Sequence, residues 1–251
     1  MAAAALMVFT ATELRVGHPL LELSLFRQAS FSMLMVVGVV MTGCAFAPFV
    51  YTQLWLQSVL GLPAIGAGLV LLPMAGVAFA VSAGAGRLLH GMAARWPIGA
   101  GLVLIGAGSL LRAFLTASSG WPALIAGLAV TGVGVGLAAP VLISATLAAV
   151  PRPRSGMASG AINTFRQIGY ALGIAAFGSL FASHISHVAV TSANRHAVRA
   201  AYATAQNDIY LVAGLAAVAC GLLALALIRP GRPNAAPAPE AAPAAGVPAA
   251  R

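Results

Sequence analysis

The chain has 251 residues, 61% of them hydrophobic and only 7% charged, with a net charge of +9. Soluble domains carry about 25% charged residues, so a water-facing surface is excluded; the mean hydropathy of +0.97 suits a protein whose outside is solvated by lipid. Nucleic acid is excluded as a partner too, because all 13 basic residues are Arg, spread singly between apolar runs, where they act as topology signals.

Residues 1–30 read as a cytoplasmic segment. It opens on Ala2–Phe9, an apolar stub too short to span, followed by Glu13 and Arg15. A signal peptide places basic residues before its apolar core and a small-residue cleavage site after it, so the stub reads better as the last turns of a preceding transmembrane helix. About 20 apolar residues cross a bilayer as a helix, and residues 31–228 hold six such stretches: Phe31–Trp55, Pro63–Ala85, Pro97–Thr116, Pro122–Val150, Gly156–Ser183 and Asp208–Ile228. Several begin at proline, which suits a first helical turn. Pro48, Pro73 and Pro140 fall inside spans and are expected to kink them. Arg229–Arg251, rich in Pro and Ala, reads as a disordered cytoplasmic tail. The expected fold is all-α: a polytopic membrane protein with a six-helix bundle.

Arginine asymmetry orients that bundle. Arg15, Arg27, Arg87, Arg95, Arg152, Arg154, Arg229 and Arg232 all fall on one side of a six-span topology. The other side holds Arg195 and Arg199, with Arg112 near the outer end of the third span. The Arg-rich side is cytoplasmic, so both termini are expected in the cytoplasm of a cell-membrane protein.

The first span ends in FAPFVYTQLWLQ, residues 46–57. Tyr51 and Trp55 suit an interfacial aromatic belt; Phe46, Phe49, Gln53 and Gln57 suit equally the lining of a pocket for amphipathic molecules. In the fourth span TGVGVGLAAP, with Gly132, Gly134 and Gly136 before Pro140, is no nucleotide fingerprint, since no strand precedes it. It reads as a thin packing surface. The fifth span carries SGMASGAINTFRQIGYALG, residues 155–173. Helical spacing places Ser159, Asn163, Arg166, Gln167 and Tyr170 on one face, beside the small-residue pairs Gly156/Gly160 and Gly169/Gly173. Arg166 lies about 15 Å into that helix, where a guanidinium needs polar partners. The stripe is a structural polar seam, a gate or a substrate contact.

Catalytic groupings are missing from the pattern. Glu13, Glu22, Asp208 and Glu240 are the only acids, none at mid-membrane depth, and Asp208 is expected to cap the sixth helix. His184 and His187 have the i, i+3 spacing of metal ligands but no third ligand, so an interfacial pair is the simpler reading. Cys44 and Cys220 lie in apolar runs and read as packed thiols. No enzyme, metal or cofactor is expected.

HPLLELSLFRQASF (18–31), YTQLWLQSVLGLPAIGAGLVLLPMAG (51–76) and PRPRSGMASGAINTFRQIGYALG (151–173) resemble segments of the fourteen-helix drug–proton antiporter branch of the major facilitator superfamily. GRLLHGMAARW (86–96), with Gly86, Arg87, His90 and Arg95, resembles that superfamily's short basic loop, with His90 where an Asp is usual. The resemblance implies the C-terminal half of such a transporter, six helices arranged as a 3+3 inverted repeat. Its first and fourth helices would line the cavity, and its second and fifth would face the other half. It also implies proton-coupled efflux of drugs or amphipathic metabolites, and a missing N-terminal half or second copy as partner. The competing expectation is a truncated, non-transporting membrane fragment or interaction subunit.

Overall fold

The computed structural model describes residues 23–88, 91–116, 118–191 and 195–228, excepting the side chains of 85–88, 186–191, 195 and 196. The N-terminal stub, the tail after Ile228 and His90 lie outside the described residues, as do the side chains of Gly86, Arg87 and His187. The described residues form seven α-helices: α1 (Ala29–Phe46), α2 (Pro48–Ser58), α3 (Ala64–Leu88), α4 (Arg95–Arg112), α5 (Pro122–Ala148), α6 (Ser155–Thr191) and α7 (Arg195–Leu227). In hydrocarbon each backbone N–H and C=O needs an internal partner, which a helix supplies within its own segment.

Proline acts differently at each expected kink. At Pro48 the missing N–H interrupts the first span, which divides into α1 and α2. At Pro73 and Pro140 the helix runs on through the proline. α2 ends in a turn where Leu62 N donates to Leu56 O at 3.1 Å. Gly61 there takes φ +70°, a left-handed conformation that a Cβ disfavours.

Two helices overrun their expected limits. α6 continues to Thr191 rather than stopping at Ser183, and α7 begins at Arg195 rather than Asp208. Asp208 therefore caps nothing; it lies inside a helix of 33 residues. α6 and α7 pack against each other, and that mutual support sustains helix where the residues are too polar to extend an apolar run.

Among the described residues five stretches are long and apolar enough to span: Ala29–Ser58, Ala64–Gly84, Pro122–Ala148, Arg152–Ile185 and Ala197–Leu227. α4, the expected third span, is the exception. It is only 18 residues long, with Arg at both ends. The two arginines lower its average, and the apolar stretch between them is wedged between α5 and α7. A Cβ on Gly101 would stand 2.7 Å from the Cβ of Ala138 in α5, and one on Gly106 would stand 2.5 Å from Val218 in α7. Two glycine rows on opposite faces of one helix let both neighbours approach backbone to backbone.

The Gly132-Gly134-Gly136 series works the same way. A Cβ on Gly132 would meet Met74 O at 2.5 Å and one on Gly136 would meet Ala78 O at 2.6 Å, both in α3, whereas Gly134 faces Gly101 and Ile105 of α4. Residues two apart on a helix point to nearly opposite sides, so the alternation joins α5 to two partners. On the other side of the bundle α1 packs on α6 and α7. α3 and α6 are left open: 17% and 11% of their apolar stretches are buried, against 67% for the first span.

Candidate functional site

Phe46 at the end of α1 and Phe49 at the start of α2 lie edge to face, centroids 6.0 Å apart. With Leu71, Leu72, Met74 and Val135 they line a cavity of about 260 Å³ between the first span, α3 and α5. The aromatic half of the expected pocket is thus present, and its walls are apolar. Gln53, one turn beyond Phe49, is half-buried with no hydrogen-bond partner for Oε1 among the described residues. Gln57 is exposed. The aromatic belt is not formed at this point: Tyr51 is 8% and Trp55 1% exposed. Tyr51 instead donates its hydroxyl to Ile174 O at 2.5 Å, tying α2 to α6.

The polar face expected on α6 divides in two. Ser159, Asn163 and Gln167 point outward, while Arg166 and Tyr170 are half-buried. Arg166 Nε donates to Thr42 Oγ1 of α1 at 3.4 Å, a partner that the pattern within α6 could not show. Of the glycine pairs, Gly169 and Gly173 pack on α1: a Cβ on Gly173 would lie 2.7 Å from Ala47 Cβ. Gly156 and Gly160 meet nothing within 4 Å. Their packing role, if one exists, is not within the described bundle. Arg95 stacks over Trp96, 5.4 Å from the ring centre, at the start of α4.

The most densely bonded polar residues belong to a part of the chain that hydropathy passes over. Gln206, Asn207, Asp208 and Tyr210 sit within five positions of α7; at 100° per residue Gln206 and Tyr210 share one face, while Asn207 and Asp208 are turned to other neighbours. Gln206 Nε2 donates to Thr52 Oγ1 of α2 at 3.0 Å. Asn207 grips the backbone after α4 on both sides, accepting from Leu115 N and donating to Leu115 O, each at 2.8 Å. Asp208 reaches His184 of α6 at 3.0 Å. Tyr210 lies 2.7 Å from Thr52 Oγ1; since Thr52 already donates to Pro48 O at 2.9 Å, Tyr210 is the donor.

Above Tyr210 lies Arg112, its guanidinium carbon 4.5 Å from the ring centre. Arg112 is 1% exposed; it is a core residue, not a topology marker at the helix end. Nε donates to Gly108 O at 3.1 Å, and Nη2 to Ser109 Oγ at 3.2 Å and Thr131 Oγ1 at 3.3 Å. No carboxylate takes part. The aromatic face and the neutral oxygens carry the charge between them. Thr52, Ser109, Thr131 and Gln206 are all fully buried, so α2, α4, α5 and α7 are joined through one internal polar network. Its members are one or two to a helix, which is why no single segment announces it.

Among the described residues no three His, Cys, Asp or Glu side chains cluster as metal ligands. The bundle thus has an apolar cavity, a half-buried cation on α6 and open faces on α3 and α6. The model of the Major Facilitator Superfamily matches residues 5–174 and 85–250. The chain belongs to the Major Facilitator Superfamily.

Relatives of this superfamily chain are named for resistance and export. It is 32% identical over 179 residues to "Multidrug resistance protein Stp" of Mycobacterium tuberculosis, covering 71% of the chain and 33% of that protein. It is 30% identical over 207 residues to "Probable actinorhodin transporter" of Streptomyces coelicolor, covering 79% and 36%. It is 30% identical over 183 residues to "Tetracenomycin C resistance and export protein" of Streptomyces glaucescens, covering 72% and 34%. The chain therefore matches about a third of the length of these relatives. A superfamily of transporters points away from enzymatic activity and to a multi-pass protein of the cell membrane.

Proposed function

We propose that this chain forms the C-terminal half of a proton-coupled exporter of drugs or small amphipathic metabolites, in the fourteen-helix branch of the superfamily. In this reading α4 completes six spans, the six form a 3+3 inverted repeat, and both termini face the cytoplasm. Export proceeds by alternating access, as this bundle rocks against a second one around a site near the midplane. The second bundle is an N-terminal half or another copy of the chain.

The observation that carries the reading is the outward face of α6. Ser159, Asn163 and Gln167 are exposed there beside Gly156 and Gly160, around which there is open space. Lipid disfavours such amides, each wanting hydrogen-bond partners, whereas a second helical bundle satisfies them and fits closely over the glycines. The cavity bounded by Phe46, Phe49 and α3 suits apolar and amphipathic molecules better than sugars or ions, in keeping with the names of the relatives.

The test is dye efflux from cells producing this chain alone or together with the eight N-terminal spans of a relative. Uncoupler-sensitive export is expected only from the pair, and a cysteine replacing Gln167 is expected to cross-link to the added half. Robust, uncoupler-sensitive export by the chain alone would overturn the half-transporter reading.

A further inference from the structure

The overrun of α6 and α7 brings together two titratable side chains that lie 24 positions apart. His184 Nε2 is 3.0 Å from Asp208 Oδ2, and His184 Nδ1 is 3.0 Å from Leu180 O. A backbone carbonyl only accepts, and an ionised carboxylate only accepts. A neutral imidazole has a single N–H, so it satisfies one of these contacts and sets a lone pair against the other. Both are satisfied when one further proton is present, carried by the ring as imidazolium or by Asp208 and donated to Nε2. The proton belongs to the pair rather than to either residue.

A neighbouring hydroxyl provides for the other state. Ser183 Oγ donates to Leu180 O at 2.7 Å and lies 3.3 Å from His184 Nδ1. When the extra proton leaves to solvent, the ring keeps Nε2–H on Asp208, Nδ1 becomes an acceptor, and the Ser183 hydroxyl turns from the carbonyl to Nδ1. The hydroxyl thus offers Nδ1 a donor in the deprotonated state, where the carbonyl cannot. The side chains are 30% and 43% exposed, which leaves a path for proton exchange. His184 lies in the last turn of the apolar stretch Arg152–Ile185.

Among the described side chains, the surrounding charges do not compete for this role. On α7, Arg199 is exposed and Tyr202 stacks on Phe181 at 5.3 Å. On α2, Tyr51 also stacks on Phe181, at 5.4 Å, and its hydroxyl is engaged with Ile174 O. Cys44 of α1 and Cys220 of α7 are buried in the apolar core. Tyr170 and Arg166 on α6 itself are nearly four turns or more away along the helix, and Arg152 and Arg154 precede its start. α5 carries no titratable side chain.

We infer that His184 and Asp208, served by Leu180 and Ser183, form a proton-binding site that joins α6 to α7. This goes beyond the proposed function, because it concerns the protonation of these residues whether or not the chain exports anything.

The experiment is nuclear magnetic resonance of the full chain in lipid nanodiscs with 15N-labelled histidine. The pH is taken from about 5 to about 8, across the ordinary imidazole range. His184→Gln assigns the His184 signals by their loss. In the unmodified chain both ring nitrogens of His184 are expected to carry protons at the acid end, giving way to the Nε2–H tautomer as pH rises. Asp208→Asn is close in shape and keeps no charge, and it is expected to change the pH dependence of those signals. A His184 that keeps the Nε2–H tautomer throughout, or whose ring-nitrogen signals change with pH in the same way with and without Asp208, would overturn the site. Neither result depends on transport, so failure here leaves the exporter reading standing, and the reverse.

Discussion

Removing Arg112 should harm the bundle less than removing what surrounds it. Arg112 is fully enclosed, holds three neutral oxygens at 3.1 to 3.3 Å, and lies 4.5 Å above Tyr210. Arg112→Met keeps most of the aliphatic volume and deletes the buried charge together with its desolvation penalty; by analogy with buried ion pairs replaced by apolar groups, stability is expected to change by less than about 1 kcal/mol. Tyr210→Leu leaves the guanidinium in place without its aromatic partner. That loses a desolvated cation–π contact of about 2 kcal/mol and the hydrogen bond to Thr52, about 1 kcal/mol, so a loss of about 3 kcal/mol is expected. In an Arg112→Met background the same Tyr210→Leu change should lose only the hydrogen bond and some packing, which makes the coupling between the two residues about 2 kcal/mol. The assay is reversible denaturation of the purified chain in detergent micelles, for the parent, both single variants and the double variant. A coupling below about 0.5 kcal/mol, or an Arg112→Met loss equal to that of Tyr210→Leu, would refute the view that the aromatic ring carries the charge.

Gly169→Val places branched carbons against the Val39 backbone of α1, so folded protein should fall by the equivalent of about 2 kcal/mol or more. Gly160→Val, with nothing within 4 Å, should leave bundle stability intact while reducing export by the assembled transporter; equal thermal stability losses for the two would contradict the packing described. Arg166→Ala should leave membrane abundance unchanged or higher, whereas Arg166→Lys keeps the charge but loses the planar fork that reaches Thr42. Full transport by both variants in the assembled exporter would show that Arg166 has no functional part. Cysteines at Ser119 and Ser192, in a background lacking Cys44 and Cys220, should react with an impermeant thiol reagent from outside intact cells and a cysteine at Ser155 should not. Labelling at Ser155 would reverse the proposed orientation.

Hydropathy sums over neighbours in the chain, and for that reason the helical class, the membrane setting and five of the expected spans could be read directly from the amino-acid order. Arg112 and Asp208 show where that reading ends. Both were placed by local pattern at helix ends, one as a topology signal and one as a cap, yet Arg112 is enclosed by α4, α5 and α7, and Asp208 is inside α7 against His184. Their partners on other helices lie 19 to 98 positions away, and which of them meet depends on the rotation and register of one helix against another. The glycines divide along the same line. Their abundance foretold close packing, but only the crossing of α1 with α6 settles that Gly169 and Gly173 are covered and that Gly156 and Gly160 remain open. α4 is the converse case: enclosed between α5 and α7, it is held by backbone contact through its glycines, while the arginines at its two ends lower its average apolarity. Composition selects the solvent and the type of helix; the tertiary structure decides which polar groups find one another, because a hydrogen bond or a cation–π contact is made at about 3 to 5 Å between residues that the chain alone keeps far apart.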